Sequence, residues 1–218
     1  MKSILDLLQA SGIFIVPLLL LSVVGVAIII ERTLALQRKR VISDALADAA
    51  HIFQPGDDIQ RLYGQAMGDG SVLGRIIQTT LAHLDSPKSD NIDAIQVRAR
   101  AEAVMLERGL VTLEIIVGVA PLLGLLGTVS GLIRVFAVFG SGGESISEAI
   151  GIARGISEAL NMTVAGLVVA IPALIIHAYY TRRVEHYMSE MEGICLDLLA
   201  KLYRNRTESI VHEQTGQN

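Results

Sequence analysis

Hydrophobic positions along this chain follow two patterns. In three stretches they run almost unbroken, and between and after those stretches they recur at helical spacing. The first unbroken run, Gly12 to Ile30, carries no charge; the second, Ile115 to Phe139, carries only Arg134; the third, from Ala159 to about Ala178, has Glu158 at its start. A bilayer core of about 30 Å needs roughly 20 apolar residues of helix, so each run is long enough to span it. The periodic stretches lie at 92–113 (Ile92, Ile95, Ala99, Ala103, Leu106, Leu110, Leu113) and 184–202 (Val184, Met188, Met191, Cys195, Leu198, Leu202). These stripes predict long helices that continue spans two and three and pack as a bundle outside the membrane. Asp90 is expected to cap the first of them after Ser86-Pro87. Between Val41 and Leu84 the pattern predicts shorter helices, broken at Gln54-Pro55-Gly56-Asp57 and Gly68-Asp69-Gly70-Ser71.

The expected fold is therefore all-α: a polytopic membrane protein with three transmembrane helices, two of them extending into a cytoplasmic bundle. Along the chain we expect an interfacial helix at 1–11, spans at 12–30, 115–139 and 156–180, and a helical cytoplasmic region at 31–114. A periplasmic connector at 140–155, a cytoplasmic helix at 181–206 and a disordered polar tail at 207–218 complete the layout. In the connector, Ser145-Ile146-Ser147-Glu148 has the spacing of a capping box that restarts a helix, which Gly151 and Gly155 would bend or interrupt. Span one reads as a retained anchor rather than a signal peptide. Its apolar run is long, and Glu31-Arg32 and then Arg38-Lys39-Arg40 follow it in place of a small-residue cleavage site.

Composition fits this layout. The chain is 51% hydrophobic with mean hydropathy +0.51 and only 18% charged residues, a balance that suits lipid better than water. The net charge of −4 gives no basic field for nucleic acid. Basic residues flank the inner ends of the spans: Arg32, Arg38, Lys39 and Arg40; Arg98, Arg100 and Arg108; Arg182 and Arg183. Their bias places the N-terminus in the periplasm and the C-terminus in the cytoplasm. The single cysteine, Cys195, excludes an intrachain disulfide and lies on an apolar stripe. The sequence shows no metal-ligand spacing or catalytic motif, so neither an enzyme nor a cofactor is expected.

Chemistry within the spans is sparse. Ala120, Gly124, Gly127 and Gly131 share one face of span two, bordered by Thr128, and Pro121 removes a backbone donor there. From the residues alone, a helix-packing face is the simpler reading. On span three Ala159, Thr163, Gly166, Ala170, Ala173 and His177 form a small, partly polar stripe, while Leu160, Val164, Leu167, Val168, Ile171 and Ile175 cover the rest; Pro172 is a further packing position. Such a stripe suits either a close helix partner or a water-filled path. Glu158 is either an interior-facing proton carrier or a hydrated interfacial carboxylate. His177 is a candidate proton relay, although an interfacial histidine is the commoner case. Arg134 lies six residues outward from Thr128 and Glu158 five outward from Thr163, about 9 and 7.5 Å at a 1.5 Å rise per residue. If the threonines share a level, so do these charges, and we expect an Arg134–Glu158 ion pair near the outer mouth, within or between subunits.

Two segments resemble a known family. A-P-L-L-G-L-L-G-T-V-S-G-L-I at 120–133 and G-I-S-E-A-L-N-M-T-V-A-G-L-V-V-A-I-P-A at 155–173 are similar to the second- and third-span motifs of the ExbB/TolQ family, relatives of the flagellar MotA stator. I-I-I-E-R-T at 28–33 fits the end of the family's first span. The resemblance implies a homopentameric ring around two transmembrane helices of an ExbD/TolR-like single-span partner, whose aspartate carries the proton. Thr128 and Thr163 match the family's pore threonines and Glu158 its pore glutamate, whereas Arg134 is not a feature of the motif. The work would pass to a TonB-like or TolA-like protein acting on the outer membrane. The competing reading is a non-conducting scaffold that only holds a partner helix.

Overall fold

The computed structural model describes residues Ile13–Phe139 and Ile146–Thr215. The interfacial helix expected at 1–11, the 140–145 turn and the Ser145 cap lie outside these residues. The described residues form eight helices: α1 Ile15–Ala35, α2 Arg38–Val41, α3 Asp44–Ile52, α4 Ile59–Gly68, α5 Val72–Ala82, α6 Lys88–Glu107, α7 Leu110–Phe139 and α8 Ile146–Thr215. The chain divides into two compact units: Met1–Arg32 with Gly109–Tyr179, and Thr33–Arg108 with Tyr180–Asn218.

The helices long and apolar enough to cross a membrane lie in Ile15–Ala35, Leu110–Ala137 and Ile150–Arg204, and the first unit holds residues 15–32, 110–137 and 150–179 of them. Only 22%, 33% and 28% of their most apolar windows is buried within the chain, so lipid or other protein must cover the remainder. Ile15, Leu18, Gly25 and Arg32 form the buried stripe of α1. Near its C-terminal end, the Arg32 side chain fills the space where a Cβ on Gly109 would stand. At that point the expected long helix is split: residues 108–109 form a turn between α6 and α7. We attribute the break to this close approach, which only a residue without a side chain admits.

The second unit is built like a water-soluble bundle. Ile42, Leu73, Ile77, Met191, Leu198 and Leu199 are fully buried at its centre, with Leu62, Ile95, Ala99 and Cys195 around them. Asp58 caps α4 by accepting from the Gln60 N–H, and Ser71 caps α5 by accepting from the Gly74 N–H. The breaks expected at 54–57 and 68–71 fall between α3 and α4 and between α4 and α5, and Gly56 takes a positive φ of 106° in the first. Pro87, not Asp90, occupies the N-cap position of α6, with no side-chain cap; Asp90 lies in its first turn, where a carboxylate favours the positive helix end.

Two further expectations are corrected. α8 passes through Gly151 and Gly155 without interruption, and the missing Cβ of Gly155 makes room for Val135. The same helix continues to Thr215, into the segment read as a disordered tail, because no helix breaker occurs before Gly216.

Candidate functional site

The small-residue faces of α7 and α8 meet in the first unit. A Cβ on Gly124 would lie 2.8 Å from the Met162 carbonyl oxygen and 3.2 Å from the Gly166 Cα; one on Gly166 would lie 2.7 Å from the Ala120 carbonyl oxygen. The backbones therefore touch, and a methyl group at either position forces them apart. Gly127 packs on the Met162 side chain and Gly131 on Ala159. Pro121 lies half-buried within α7, and Pro172 is exposed on α8.

This contact brings the two threonines together. The hydroxyl oxygens of Thr128 and Thr163 are 2.5 Å apart, so the two residues share a level, the condition on which the expected Arg134–Glu158 pairing rested. The Thr128 hydroxyl also lies 2.9 Å from the Ala159 carbonyl oxygen and 3.2 Å from that of Gly124. A hydroxyl has one proton, and donation to Ala159 leaves its lone pairs to accept from Thr163. The chain Thr163 → Thr128 → Ala159 is therefore satisfied and ends on a carbonyl. Thr128 is buried and Thr163 half-buried, and neither hydroxyl lies on the outward surface of the helix pair. Ala159, Gly166, Ala170 and Ala173 continue the buried stripe, with the half-buried His177 at its C-terminal end. The greasy residues Leu160, Val164, Leu167, Val168, Ile171 and Ile175 are all exposed.

Within the chain, Glu158 is paired with Arg154. The Arg154 guanidinium donates from Nε to the Glu158 carboxylate at 3.0 Å, one helical turn away on α8. This answers the intrachain half of the expected Arg134–Glu158 pairing: the carboxylate takes its own helical neighbour, and Arg134 is exposed on α7. The i,i+4 spacing of Arg154 and Glu158 is legible in the sequence.

Sequence reasoning also missed a buried carboxylate outside the spans. Glu102, 2% exposed, accepts two hydrogen bonds from Arg75, at 2.8 and 2.6 Å, and pairs with Arg98 at 2.7 Å. Hydrogen bonding to Arg75 lowers its pKa, against the opposing effect of burial. The signal is its position: Ile95, Ala99 and Glu102 follow one stripe at i, i+4 and i+7. Asn91 reinforces the same junction by donating to the Thr80 carbonyl at 2.9 Å. Among the described residues no cluster of His, Cys, Asp and Glu could hold a metal ion.

The site is thus a helical hairpin held by backbone contact, with two hydroxyls joined across it, in an all-α membrane protein with three candidate spans. The profile of the MotA/TolQ/ExbB proton channel family matches residues 69–193, and the chain belongs to that family. It is similar to the putative biopolymer transport protein ExbB-like 3 of Synechocystis sp., at 33% identity over 96% of this chain and 90% of that protein. The putative biopolymer transport protein ExbB-like 1 of the same organism is 37% identical over 79% of this chain and 68% of its own length. The biopolymer transport protein exbB1 of Vibrio cholerae is 32% identical over 80% of this chain and 77% of that protein.

Proposed function

We propose that this chain is the ring-forming, proton-conducting subunit of an ExbB–ExbD or TolQ–TolR type motor in a bacterial inner membrane. In this reading spans 12–30, 115–139 and 156–180 cross the bilayer. Segments 31–114 and 181–206 are cytoplasmic, and 140–155 is periplasmic. Copies of the chain, five in the family's ring, surround a single-span ExbD/TolR-like partner. Protons moving down their gradient shift that partner, and the work passes to a TonB-like or TolA-like protein at the outer membrane. Each charge crossing 100 mV releases about 2.3 kcal/mol for that work.

The observation that carries the reading is the polar joint Thr128–Thr163, with Glu158 five residues outward, set between helices whose outward residues are mostly large and apolar. Membership of a proton channel family supports it. A ring of copies is further supported by α6, whose exposed Val97 (69%), Val104 (68%) and Met105 (70%) lie outside the apolar spans and need protein cover. The scaffold reading keeps one specific observation in its favour: the Thr128 and Thr163 hydroxyls are already satisfied within one chain.

Proton flux into liposomes separates the two readings. The protein is reconstituted with its ExbD-like partner, and wild type is compared with Thr163→Val and Glu158→Ala under an imposed gradient. The motor reading expects flux in wild type that falls in both variants while the complex still assembles. Three assembled complexes equally tight to protons, with no effect of either change on function, leave the scaffold.

A further inference from the structure

Two helix faces of the second unit carry complementary charge and lack cover within the chain. α6 and α8 share one core, where Ile95 and Ala99 of α6 are buried with Met191, Cys195 and Leu198 of α8. The opposite faces are exposed. On α6 that face presents Val97, Ala101 and Val104, with Asp93, Arg100 and Arg108 among them. On α8 it presents Gly193, Leu196 and Ala200, with Glu185, Glu192 and Arg204. Among the described residues no ion pair engages Asp93, Arg100, Arg108, Glu192 or Arg204, and Glu185 meets only Arg182, at 3.8 Å. Gly193 lies inside a helix, where glycine is unfavourable, and a Cβ placed on it would find open space. Among the described residues, therefore, no neighbour requires its missing side chain.

The heights of these residues match. The second unit is left at Arg108 and re-entered at Tyr180, while at the far ends the Asn91 carboxamide lies 3.4 Å from the Tyr203 hydroxyl, so α6 and α8 run antiparallel. Ala101 and Gly193 are each ten residues from that contact, about 15 Å along the helices at a 1.5 Å rise. Val97 and Leu196 stand about 9 and 10.5 Å from it, Arg100 and Glu192 about 13.5 and 16.5 Å, and Arg108 and Glu185 about 25.5 and 27 Å. Asp93 and Arg204 lie within about 5 Å of its level. Charge along α6 therefore runs negative, positive, positive, and at the same heights on α8 positive, negative, negative. A cyclic ring repeats the chain by rotation, which keeps every height along its axis, so this register carries over from one copy to the next. We propose that the α6 face of one copy docks on the α8 face of its neighbour, with Ala101 against Gly193 and Arg100 beside Glu192. The glycine admits the neighbouring helix, and the opposed charges fix the register. The inference rests on the ring-forming reading and names the surfaces that close the ring outside the spans.

The test uses the full chain in membranes. Ala101→Cys and Gly193→Cys are introduced together and oxidised; native Cys195 is fully buried and gives little background. The pair is expected to give a disulfide-linked ladder of two and more copies that neither single variant forms. Gly64→Cys with Gly193→Cys is the control, since Gly64 is exposed on α4 with open space beside it. In the purified protein, Arg100→Glu is expected to weaken association of copies about fivefold, and adding Glu192→Arg to restore it, which lost packing alone would not do. An oligomer whose 101–193 ladder is no stronger than the control, or a double reversal that associates no better than Arg100→Glu alone, overturns the docking assignment and leaves the ring standing. A wild-type chain that stays monomeric in the membrane instead overturns the ring-forming reading on which the assignment rests.

Discussion

The two units bring helices together by opposite means. In the first, α7 and α8 approach through positions that have almost no side chain, so that backbone meets backbone at Gly124 and Gly166, and large apolar residues face outward. In the second, helices are held apart by interlocking Leu, Ile and Met side chains, and apolar residues face inward. The solvent explains the difference. Lipid is as apolar as leucine, so burying leucine between membrane helices gains little, whereas close packing and satisfied hydrogen bonds do. In water the same burial stabilises by about 25 cal/mol per Å². Polar groups follow suit: the first unit ties hydroxyls to a carbonyl, and the second buries a carboxylate between two arginines that reach solvent.

Breaking the backbone contact should have the largest effect. Gly124→Leu is expected to destabilise the hairpin by about 3 kcal/mol or more and to prevent assembly, read as loss of folded complex in detergent. Gly64, on an exposed part of α4 with open space beside it, should respond in the opposite direction, Gly64→Ala raising stability by about 0.5–1 kcal/mol. Equal losses at the two sites would remove the contrast between the units.

Next in size is the buried carboxylate. Glu102→Gln is expected to lower thermal stability by about 2 kcal/mol, below the 3–5 kcal/mol of a fully buried pair because Arg75 and Arg98 are 35% and 39% exposed. Its pH dependence has a definite sign. The folded-state pKa is lowered, so the contribution of Glu102 is fully present above the ordinary carboxylate range, about pH 4.3, and is lost as pH falls through the lower folded value. Thermal melts of wild type should therefore weaken on acidification more steeply than those of Glu102→Gln; parallel curves would show that Glu102 does not contribute this slope.

The threonine tie should be weaker. Thr128→Val is expected to cost about 0.6 kcal/mol, typical of a hydrogen bond between membrane helices, and Thr163→Val should add little on top of it. Full additivity in a double-mutant cycle would show that the two hydroxyls act separately. Smallest of all is the response of Cys195: burial pushes its thiol up to about 12, so wild type at pH 8 should react with a thiol reagent only after unfolding.

Much of this contrast is legible in the order of residues along the chain. Periodicity reveals the face Ala120, Gly124, Gly127, Gly131 and the stripe from Ala159 to His177, because one helix face is one spacing. It also reveals the stripe from Val184 to Leu202 in the second unit. The Arg154–Glu158 pair is equally local, yet a longer-range partner for Glu158 looked the better match. The Arg32 side chain against Gly109, and the break between α6 and α7 beside it, join residues far apart in sequence and leave no local signature.

By itself the sequence determined the all-α class, the three spans, the small faces and the family, since hydropathy and helical spacing are properties of neighbouring residues. The tertiary structure decided that Thr128 and Thr163 share one hydrogen-bonded joint ending on Ala159 and that Glu102 is buried between two arginines. Each of these depends on which face of one helix meets another. That is decided only when backbones have approached closely enough for their polar groups to need partners.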